Sequence, residues 1–393
     1  MSTKQRSVSV GSIRRERKGT AVVVGASLSG LMTGLALSRA GIDVTILERA
    51  SAFPHTGAAL GGVTERMLEH ITGRARTVRD ETTHETCQTW SAVHARLRTA
   101  VEADPYIRLR HAATVRYVGQ DVEAAWATTV DGDMFRADVV IGADGHRSVV
   151  RRSVAPHHPD ATFAGYTIWL GLVDEPAIGT RHRWPRDSDI FYRGRDCLIG
   201  YPLSSPKGSF SPGSRQLGWA WYDTSRNDLL REKGCVVGEV VQHSLRAADV
   251  PETTLRELEV EASGLWPSLW RDVISDSVER RAVLGIPIAE YVPDRLVNGR
   301  LALVGDAAHV PTPMTGSGFS MSLHDAEVVA EAVAAGVRGP RMAPALERYE
   351  RARLGRVRAS VQSGQQFSRS FAGQAAGARN AAQPVCCRWS RRS

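Results

Sequence analysis

The sequence predicts an α/β fold: a Rossmann-like nucleotide-binding domain, interrupted by an inserted sheet-based domain and followed by C-terminal helices. Three observations carry this expectation. Residues 20–49, TAVVVGASLSGLMTGLALSRAGIDVTILER, read as strand, tight small-residue turn, helix and second strand. Two later apolar runs of parallel-strand type lead into Gly142-Ala143-Asp144-Gly145 and Gly305-Asp306. From about Phe163 to Ile288 the character shifts to tryptophans, tyrosines, prolines and short strand patterns.

Residues 1–18 are polar and basic, the composition of a disordered leader. Residues 21–24 are strand formers, Gly25-Ala26-Ser27-Leu28-Ser29-Gly30 is the turn, 31–40 a helix ending at Gly41, and 43–47 a strand. In such a βαβ unit the helix N-terminus lies under a phosphate, because its unpaired N–H groups and its dipole attract anions. Glu48, 23 residues after Gly25, stands where an acid accepts hydrogen bonds from an adenosine ribose. Ser27 occupies the place of the usual middle glycine, whereas Gly30 and Gly34, four apart on one helix face, permit close packing on the strand. The stretch predicts dinucleotide binding without deciding which dinucleotide. Its plainer reading is an ordinary strand–helix turn.

Residues 53–62 form a Gly/Ala-rich loop, 64–71 a short helix, and 90–101 a helix spaced through Trp90, Val93, Leu97 and Val101. Strands follow at 107–110 and 115–118, then a hairpin with arms around 124–130 and 134–141 joined by Asp131-Gly132. The middle block holds strands at 167–173, 189–192, 197–202 and 216–223. Trp219 and Trp221 alternate with Ala220 and Tyr222, the period of a half-buried strand. Helical stretches are expected near 229–247 and 252–263. Beyond the strand at 301–304 come a Pro/Gly loop and a helix with the stripe Phe319, Leu323, Ala326, Ala330 and Val333. A last helix covers roughly 342–371, and the remainder has the composition of an unstructured tail.

With 393 residues the chain suffices for two domains and a sizeable core. At 42% hydrophobic and 23% charged residues its composition is globular, and no apolar run approaches membrane-spanning length. Much of the +8 net charge sits at the two ends, which reads as tails rather than a nucleic-acid face. A basic patch in the body suits a nucleotide phosphate or an anionic substrate. Cys87, Cys197, Cys235, Cys386 and Cys387 lack metal-ligand spacing, and a disulfide framework does not suit so large a chain, so a cytoplasmic setting is expected. Arg14-Arg15 before the apolar stretch imitates a twin-arginine export signal, but such a signal would discard a complete βαβ half.

Three motifs stand in fixed order: the turn at 25–30, ADGHRSVVR at 143–151 and VGDAAHVPTPMTGSG at 304–318. Over about residues 20–355 the chain resembles the single-component FAD-dependent aromatic monooxygenases of the p-hydroxybenzoate hydroxylase fold. Residues 201–223, YPLSSPKGSFSPGSRQLGWAWYD, more loosely resemble the substrate domain of 2,6-dihydroxypyridine 3-hydroxylases. The resemblance implies a discontinuous FAD-binding domain over 19–160 and 286–340, a substrate-binding domain over 161–285, a C-terminal helix over 341–372 and a disordered tail over 373–393. It implies FAD as cofactor, NAD(P)H as reductant, and O2 transferred through a flavin hydroperoxide to a small phenol or hydroxypyridine-like ring. No nucleic-acid or membrane partner is expected, and the assembly is a monomer or a homodimer.

The same resemblance distributes roles. Cofactor contacts fall to Gly25, Ser27, Leu28, Ser29, Gly30, Glu48 and Arg49, with Arg98 a positionally poor further candidate. Asp144 and Arg151 belong to a motif that holds flavin pyrophosphate and contacts the nicotinamide cofactor; Arg151 can hydrogen-bond Asp144 or phosphate oxygens. Asp306, beside Gly305, accepts from a ribityl hydroxyl. Gly316-Ser317-Gly318 starts a helix whose bare N–H groups suit the negative edge of a reduced flavin. Pro313 resembles the proline whose carbonyl faces the flavin's reacting carbon; loop stiffening is the plainer reading. Rings of this kind react best when a hydroxyl is deprotonated, so a base or oxyanion partner is expected, with Tyr222, Tyr201 and Tyr192 as candidates that also read as pocket wall. His309 reads as structural. Ser27, Ala59 and Trp90 depart from the family pattern. They leave open a flavin-binding oxidoreductase without hydroxylase activity, while the opening fingerprint alone permits an NAD(P)-dependent dehydrogenase.

Overall fold

The structure is a computed structural model that describes residues 18–50, 59–73, 88–205, 209, 211–334 and 338–373. The expected basic leader up to residue 17, most of the 53–62 loop and the expected tail from 374 lie outside the described residues.

A six-stranded sheet forms the nucleotide-binding half, in the order Val297–Asn298, Leu301–Leu303, Val139–Gly142, Gly19–Val24, Ile42–Leu47 and Ile107–Arg110. All pairings are parallel except the outermost one, between Val297–Asn298 and Leu301–Leu303. Its central strands are apolar because both faces are covered, a consequence of crossover helices. The helix Leu28–Arg39 packs against Gly318–Val333 and Trp90–Glu102. The apolar stripe of Gly318–Val333, from Phe319 to Val333, is buried as its spacing predicts.

The register fixes where the loops go. Val24 pairs with Gly142, and Gly142 with Leu303, so three strands finish level at their carboxyl ends. The segments beginning at Gly25, Ala143 and Val304 therefore leave from one edge. That is where open parallel sheets bind ligands.

The hairpin arm expected over 134–141 is split in the structure. Met134–Ala137 stays in a three-stranded antiparallel sheet with Val115–Gln120 and Ala125–Thr129, while Val139–Gly142 joins the parallel sheet. Asp138 makes the break: its carboxylate accepts the Thr20 N–H at 2.8 Å and the Thr20 hydroxyl at 2.9 Å.

The middle block is an antiparallel seven-stranded sheet, centred on the long strand Thr162–Asp174, which pairs with both Gln216–Asp223 and Leu284–Glu290. Leu284–Glu290 runs past the expected seam at 285. Trp219 and Trp221 face one side, with Trp169 and Trp270, under the helices Glu252–Leu265 and Ser268–Glu279. Tyr222 and Ala220 face the other, with Tyr166, Tyr201 and the end of the C-terminal helix Met342–Gly373. The Gln216–Asp223 strand alternates as expected but is buried on both faces rather than half-buried. The helix expected over 229–247 is corrected: a short helix, Asn227–Glu232, gives way to the hairpin Val236–Val237 and Val240–Val241. Gly234 at φ 68° and Gly238 at φ 58° adopt the left-handed conformation that ends the one and turns the other.

Candidate active site

Gly25 opens the first loop at φ 101°, and a Cβ there would lie 2.5 Å from the Ala143 carbonyl oxygen. At Gly30 a Cβ would lie 1.9 Å from the Gly25 carbonyl oxygen. Gly25 is thus demanded by backbone contact between the first and second motifs and Gly30 by backbone contact within the first, and the first helix sits as low on the strand ends as it can. Ser27, at the N-cap, is exposed and makes no side-chain cap bond, so the helix end faces open space. Leu28 is buried in the core rather than turned to the opening. Ser29 is buried, its hydroxyl has no protein partner, and it stands where a Cβ on Gly305 would strike it at 2.4 Å.

Glu48 accepts the Ala26 N–H at 2.7 Å and the Ala50 N–H at 2.8 Å, bracing the turn from the next strand. Arg49 is exposed. The Arg98 Nε donates to Glu102 at 2.6 Å, so an ion pair on its own helix holds it. His94 had no signal in the sequence. It is buried, stacks on Trp90 at 4.7 Å and hydrogen-bonds the Ala26 carbonyl through Nε2 at 2.9 Å. Burial pushes its pKa down, so the neutral ring donates to that carbonyl.

The second motif is built differently from the expectation. Asp144 accepts the Ser148 hydroxyl at 2.5 Å and the Val149 N–H at 2.7 Å, capping the helix that follows it. Burial pushes the Asp144 carboxyl up, against those bonds. Arg151 is fully buried and meets neither Asp144 nor open space. Its Nε donates to the Pro159 carbonyl at 2.6 Å, one Nη to Asp306 and Ala307 carbonyls at 3.2 and 3.0 Å, and the other to the His146 carbonyl. The Tyr291 ring lies under the guanidinium at 4.2 Å. The expected phosphate or Asp144 contact is therefore corrected: every nitrogen of the fork is engaged by a backbone carbonyl, and Arg151 ties the second motif to the third. His146 itself is missed by sequence reasoning. Its Nε2 is buried without a partner among the described residues, and burial, followed by Arg151, Arg147 and Arg49, lowers its pKa to about 4.

Gly305, at φ 57°, bends the third motif so that Asp306 is exposed to the cleft, where its carboxylate makes no hydrogen bond with any described residue. Desolvation by the surrounding protein pushes that carboxyl up, while His309 and Arg151 draw it down. Beneath it His309, fully buried, bonds Asp325 at 2.6 Å; Asp325 also takes the Gly305 N–H at 2.9 Å and the Arg353 Nε at 2.7 Å. The structural reading of His309 matches this geometry. Pro313 is exposed on a single 3-10 turn closed by Gly316 at φ 61°, and Ser317 caps the 16-residue helix that starts at Gly318. A Cβ on Gly318 would meet nothing within 4 Å, so there is room beside the start of that helix.

These features fit FAD. A buried hydroxyl and a carboxylate without partners among the described residues, and two helix N-termini, converge on one sheet edge, and the glycines keep that edge clear. Chemically the edge offers donors to phosphate and to an electron-rich ring edge, and an acceptor for a hydroxyl. We expect Asp306→Ala to weaken FAD binding by about 1–3 kcal/mol, the range for hydrogen bonds to a charged group. Titration of the apoprotein measures it, and an unchanged dissociation constant would leave Asp306 as a strand cap only.

Tyr222 and Tyr201 lie on the sheet face turned toward this edge, in a cluster that also takes in Met314 from the Pro/Gly loop. Burial pushes the Tyr222 hydroxyl well above its ordinary value, so it stays a phenol. Tyr201 is accommodated by Gly218, where a Cβ would come within 2.1 Å of its ring. Tyr166, Thr312, Ser368 and Glu290 also meet here, joined across the chain, with no local sequence signal.

Residues 18–89 and 246–364 match the FAD binding domain family. The match is to a FAD-binding domain, and the chain is similar to FAD-dependent monooxygenases of the aromatic hydroxylase type. Among its relatives is the 2,6-dihydroxypyridine 3-monooxygenase of Paenarthrobacter nicotinovorans, 29% identical over 79% of this chain and 81% of that one. The 3-hydroxybenzoate 6-hydroxylase 2 of Aquipseudomonas alcaligenes is 27% identical over 72% of this chain and 78% of that one. The fold matches the solved structure of 2,6-dihydroxypyridine-3-hydroxylase from Arthrobacter nicotinovorans at a TM-score of 0.76, with 22% identity over 95% and 97% of the two chains. It matches Klebsiella pneumoniae HpxO, solved with FAD and uric acid, at 0.64, with 21% identity over 90% and 89%.

Proposed function

We propose that this protein hydroxylates a small phenol or hydroxypyridine-like ring, using NAD(P)H and O2. The observation that carries the reading is the aromatic face of the middle sheet, Tyr166, Tyr222 and Tyr201, set against the loop that holds Pro313. Likeness to the dihydroxypyridine and hydroxybenzoate enzymes supports the substrate class. When bound, FAD supplies the hydride acceptance and oxygen activation that no side chain provides. Gly25, Ser27, Ser29 and Gly30 would hold its pyrophosphate end, Glu48 and Arg49 its adenosine end, and Asp306 with Gly316-Ser317-Gly318 the ribityl and ring end. Arg98 is kept only as a neighbour of the first turn. The Pro313 carbonyl, which accepts the Gly316 N–H at 3.0 Å, keeps its second lone pair for the reacting edge.

The protein's own part is to bind, orient and dry. Tyr222 and Tyr201 present flat apolar walls to a ring, and the buried sheet face keeps water from it. A cleft of about 170 Å³ beside the second motif is lined by His146, Arg147, Arg152 and Asp160; Arg152 is ion-paired with Asp160, and the Arg147 guanidinium suits the phosphates of a visiting reductant. The second motif's contact with the nicotinamide cofactor is assigned there, rather than to Arg151. No described helix is long and apolar enough to cross a membrane. We place the enzyme in the cytoplasm as a monomer or homodimer.

No second nucleotide domain is present among the described residues, so NAD(P)H shares the cleft with the ring, and reduction is gated by the ring's presence. Gating requires that the ring bind one arrangement better than another, since equal affinity shifts nothing. NAD(P)H oxidation by the FAD-loaded protein is expected to be slow alone and to rise at least about tenfold with a ring that is hydroxylated, a barrier difference of about 1.4 kcal/mol. A panel of phenols and hydroxypyridines, followed by loss of reductant absorbance and by product mass, tests this. Hydroxylation of none of them would overturn the reading; hydroxylation with an unchanged oxidation rate would remove the gating alone.

A further inference from the structure

A second cleft, of about 440 Å³, opens between the middle sheet and the end of the helix Glu252–Leu265. Asp196 begins one strand and Asp223 ends its antiparallel neighbour, and the pairing of Cys197 with Tyr222 sets both carboxylates at one end of the sheet. Glu261 adds a third carboxylate to the lining from the helix. Two of the three are answered by one cation behind them: Arg226 donates to Asp223 and to Glu261, each at 2.7 Å, and also reaches Glu257 at 3.6 Å. Asp196 is not answered. Its Oδ1 accepts the Trp221 Nε1–H at 2.8 Å, but it has no ion-pair partner among the described residues, and the adjoining Arg195 is exposed.

Two further observations point to a missing ligand. Thr224, in the cleft wall, is only 7% exposed, and its hydroxyl has no partner among the described residues. A buried polar group left so is costly and calls for a partner. The helix Glu252–Leu265 also ends in this wall, through Gly264 and Leu265, and its last turn holds no basic residue. The carbonyl end of a 14-residue helix attracts positive charge, and here no side chain of its own supplies it. A metal ion does not fit, since no described group of three or more His, Cys, Asp or Glu could hold one. The walls suit a carbon stem instead: Val260 is 72% exposed, Leu265 lies beside it, and a Cβ on Gly264 would meet nothing within 4 Å.

We propose that this cleft binds a small organic monocation, a primary alkylammonium or an alkylguanidinium, with its head at Asp196 and Thr224 and its stem along Val260 and Leu265. Such a head carries donors and no acceptor, which matches a wall whose open groups are a carboxylate oxygen, a hydroxyl and helix-end carbonyls. One cation is also what the charge balance lacks: three lining carboxylates face Arg195 and Arg226. The ligand is not the ring that is hydroxylated. Strand alternation sends Trp221, which Asp196 holds, to the opposite face from Tyr222. A proton competes for the same carboxylate. Burial, joined by the charges of Asp223 and Glu261, pushes the Asp196 carboxyl up, against the Trp221 bond and Arg195. Cation binding is therefore present above that raised pKa and is lost as pH falls through it.

The test titrates the FAD-loaded full chain with butylammonium chloride at constant ionic strength, by calorimetry and by tryptophan fluorescence, since Trp221 bonds Asp196 directly. We expect saturable binding of one equivalent with a dissociation constant of about 1 mM, and none for butanol or for magnesium chloride. Asp196→Asn keeps an acceptor for Trp221 while removing the charge, and should weaken butylammonium at least about tenfold. Thr224→Val should weaken it about threefold, and it carries the comparison if Asp196→Asn loses the near-ultraviolet circular dichroism of the packed tryptophans. Wild type that does not saturate below about 100 mM overturns the site. So does equal binding of butanol or magnesium, or an affinity that neither substitution changes. None of these readouts uses hydroxylation, so the hydroxylase reading stands or falls separately.

Discussion

Gly30→Val is expected to purify without FAD, while the middle sheet keeps its tertiary structure. A Cβ at Gly30 would lie 1.9 Å from the Gly25 carbonyl oxygen, and Gly25 is itself wedged against Ala143 at the carboxyl ends of the strands. The helix cannot rise to make room without leaving the strand ends level with which the other two motifs emerge. Even alanine conflicts here; valine adds two methyl groups to a backbone contact, and overpacking of this kind costs about 1–3 kcal/mol or more. Visible absorbance of the purified variant reads the flavin. Near-ultraviolet circular dichroism reads the packed tryptophans Trp169, Trp219, Trp221 and Trp270, which all lie in the other half. A Gly30→Val protein that stays yellow at wild-type stoichiometry would contradict the placement of the first motif.

Arg151→Met should unfold far more readily than a surface change of the same size. The side chain is wholly buried, and its removal strips hydrogen bonds from the carbonyls of His146, Pro159, Asp306 and Ala307. Buried acceptors left unmatched cost about 1–3 kcal/mol each, partly recovered by relaxation, so a total loss of about 3–5 kcal/mol is expected. Arg151→Lys should recover only part of it, since an ammonium cannot reproduce the fork. Urea unfolding of the apoprotein measures both variants. A loss below about 1 kcal/mol, the level of an exposed ion pair, would mean that the motifs are held together by the strands alone.

The strand ends were legible in the sequence because parallel strands covered on both faces are continuous apolar runs, and each is followed by Gly or Asp. Gln216–Asp223 was legible to the residue through its tryptophan alternation. What escaped depends on partners far along the chain. Nothing near Arg151 announces that it would spend its donors on carbonyls at Asp306 and Ala307 rather than on Asp144. The 134–141 run has unbroken strand propensity, and only Asp138 binding Thr20 divides it between two sheets. In 229–247 the helical spacing was real for one turn, but Gly234 and Gly238 overrode it. Tyr166, Thr312, Ser368 and Glu290 meet from four distant segments, and no local pattern foretells such a meeting. Tyr222 and Tyr201 were found by composition, and burial keeps Tyr222 a phenol.

The central claim is that this protein places oxygen from O2 on an aromatic ring held between the middle sheet and the sheet edge of the three motifs. The most direct measurement is product mass after turnover of the FAD-loaded protein with NAD(P)H and a hydroxypyridine or phenol under heavy-isotope dioxygen. The expected result is a ring product carrying one heavy oxygen atom, formed in step with reductant consumed. A product whose new oxygen came from water, or reductant consumed with hydrogen peroxide as the only oxygen product for every ring that speeds its oxidation, would contradict it.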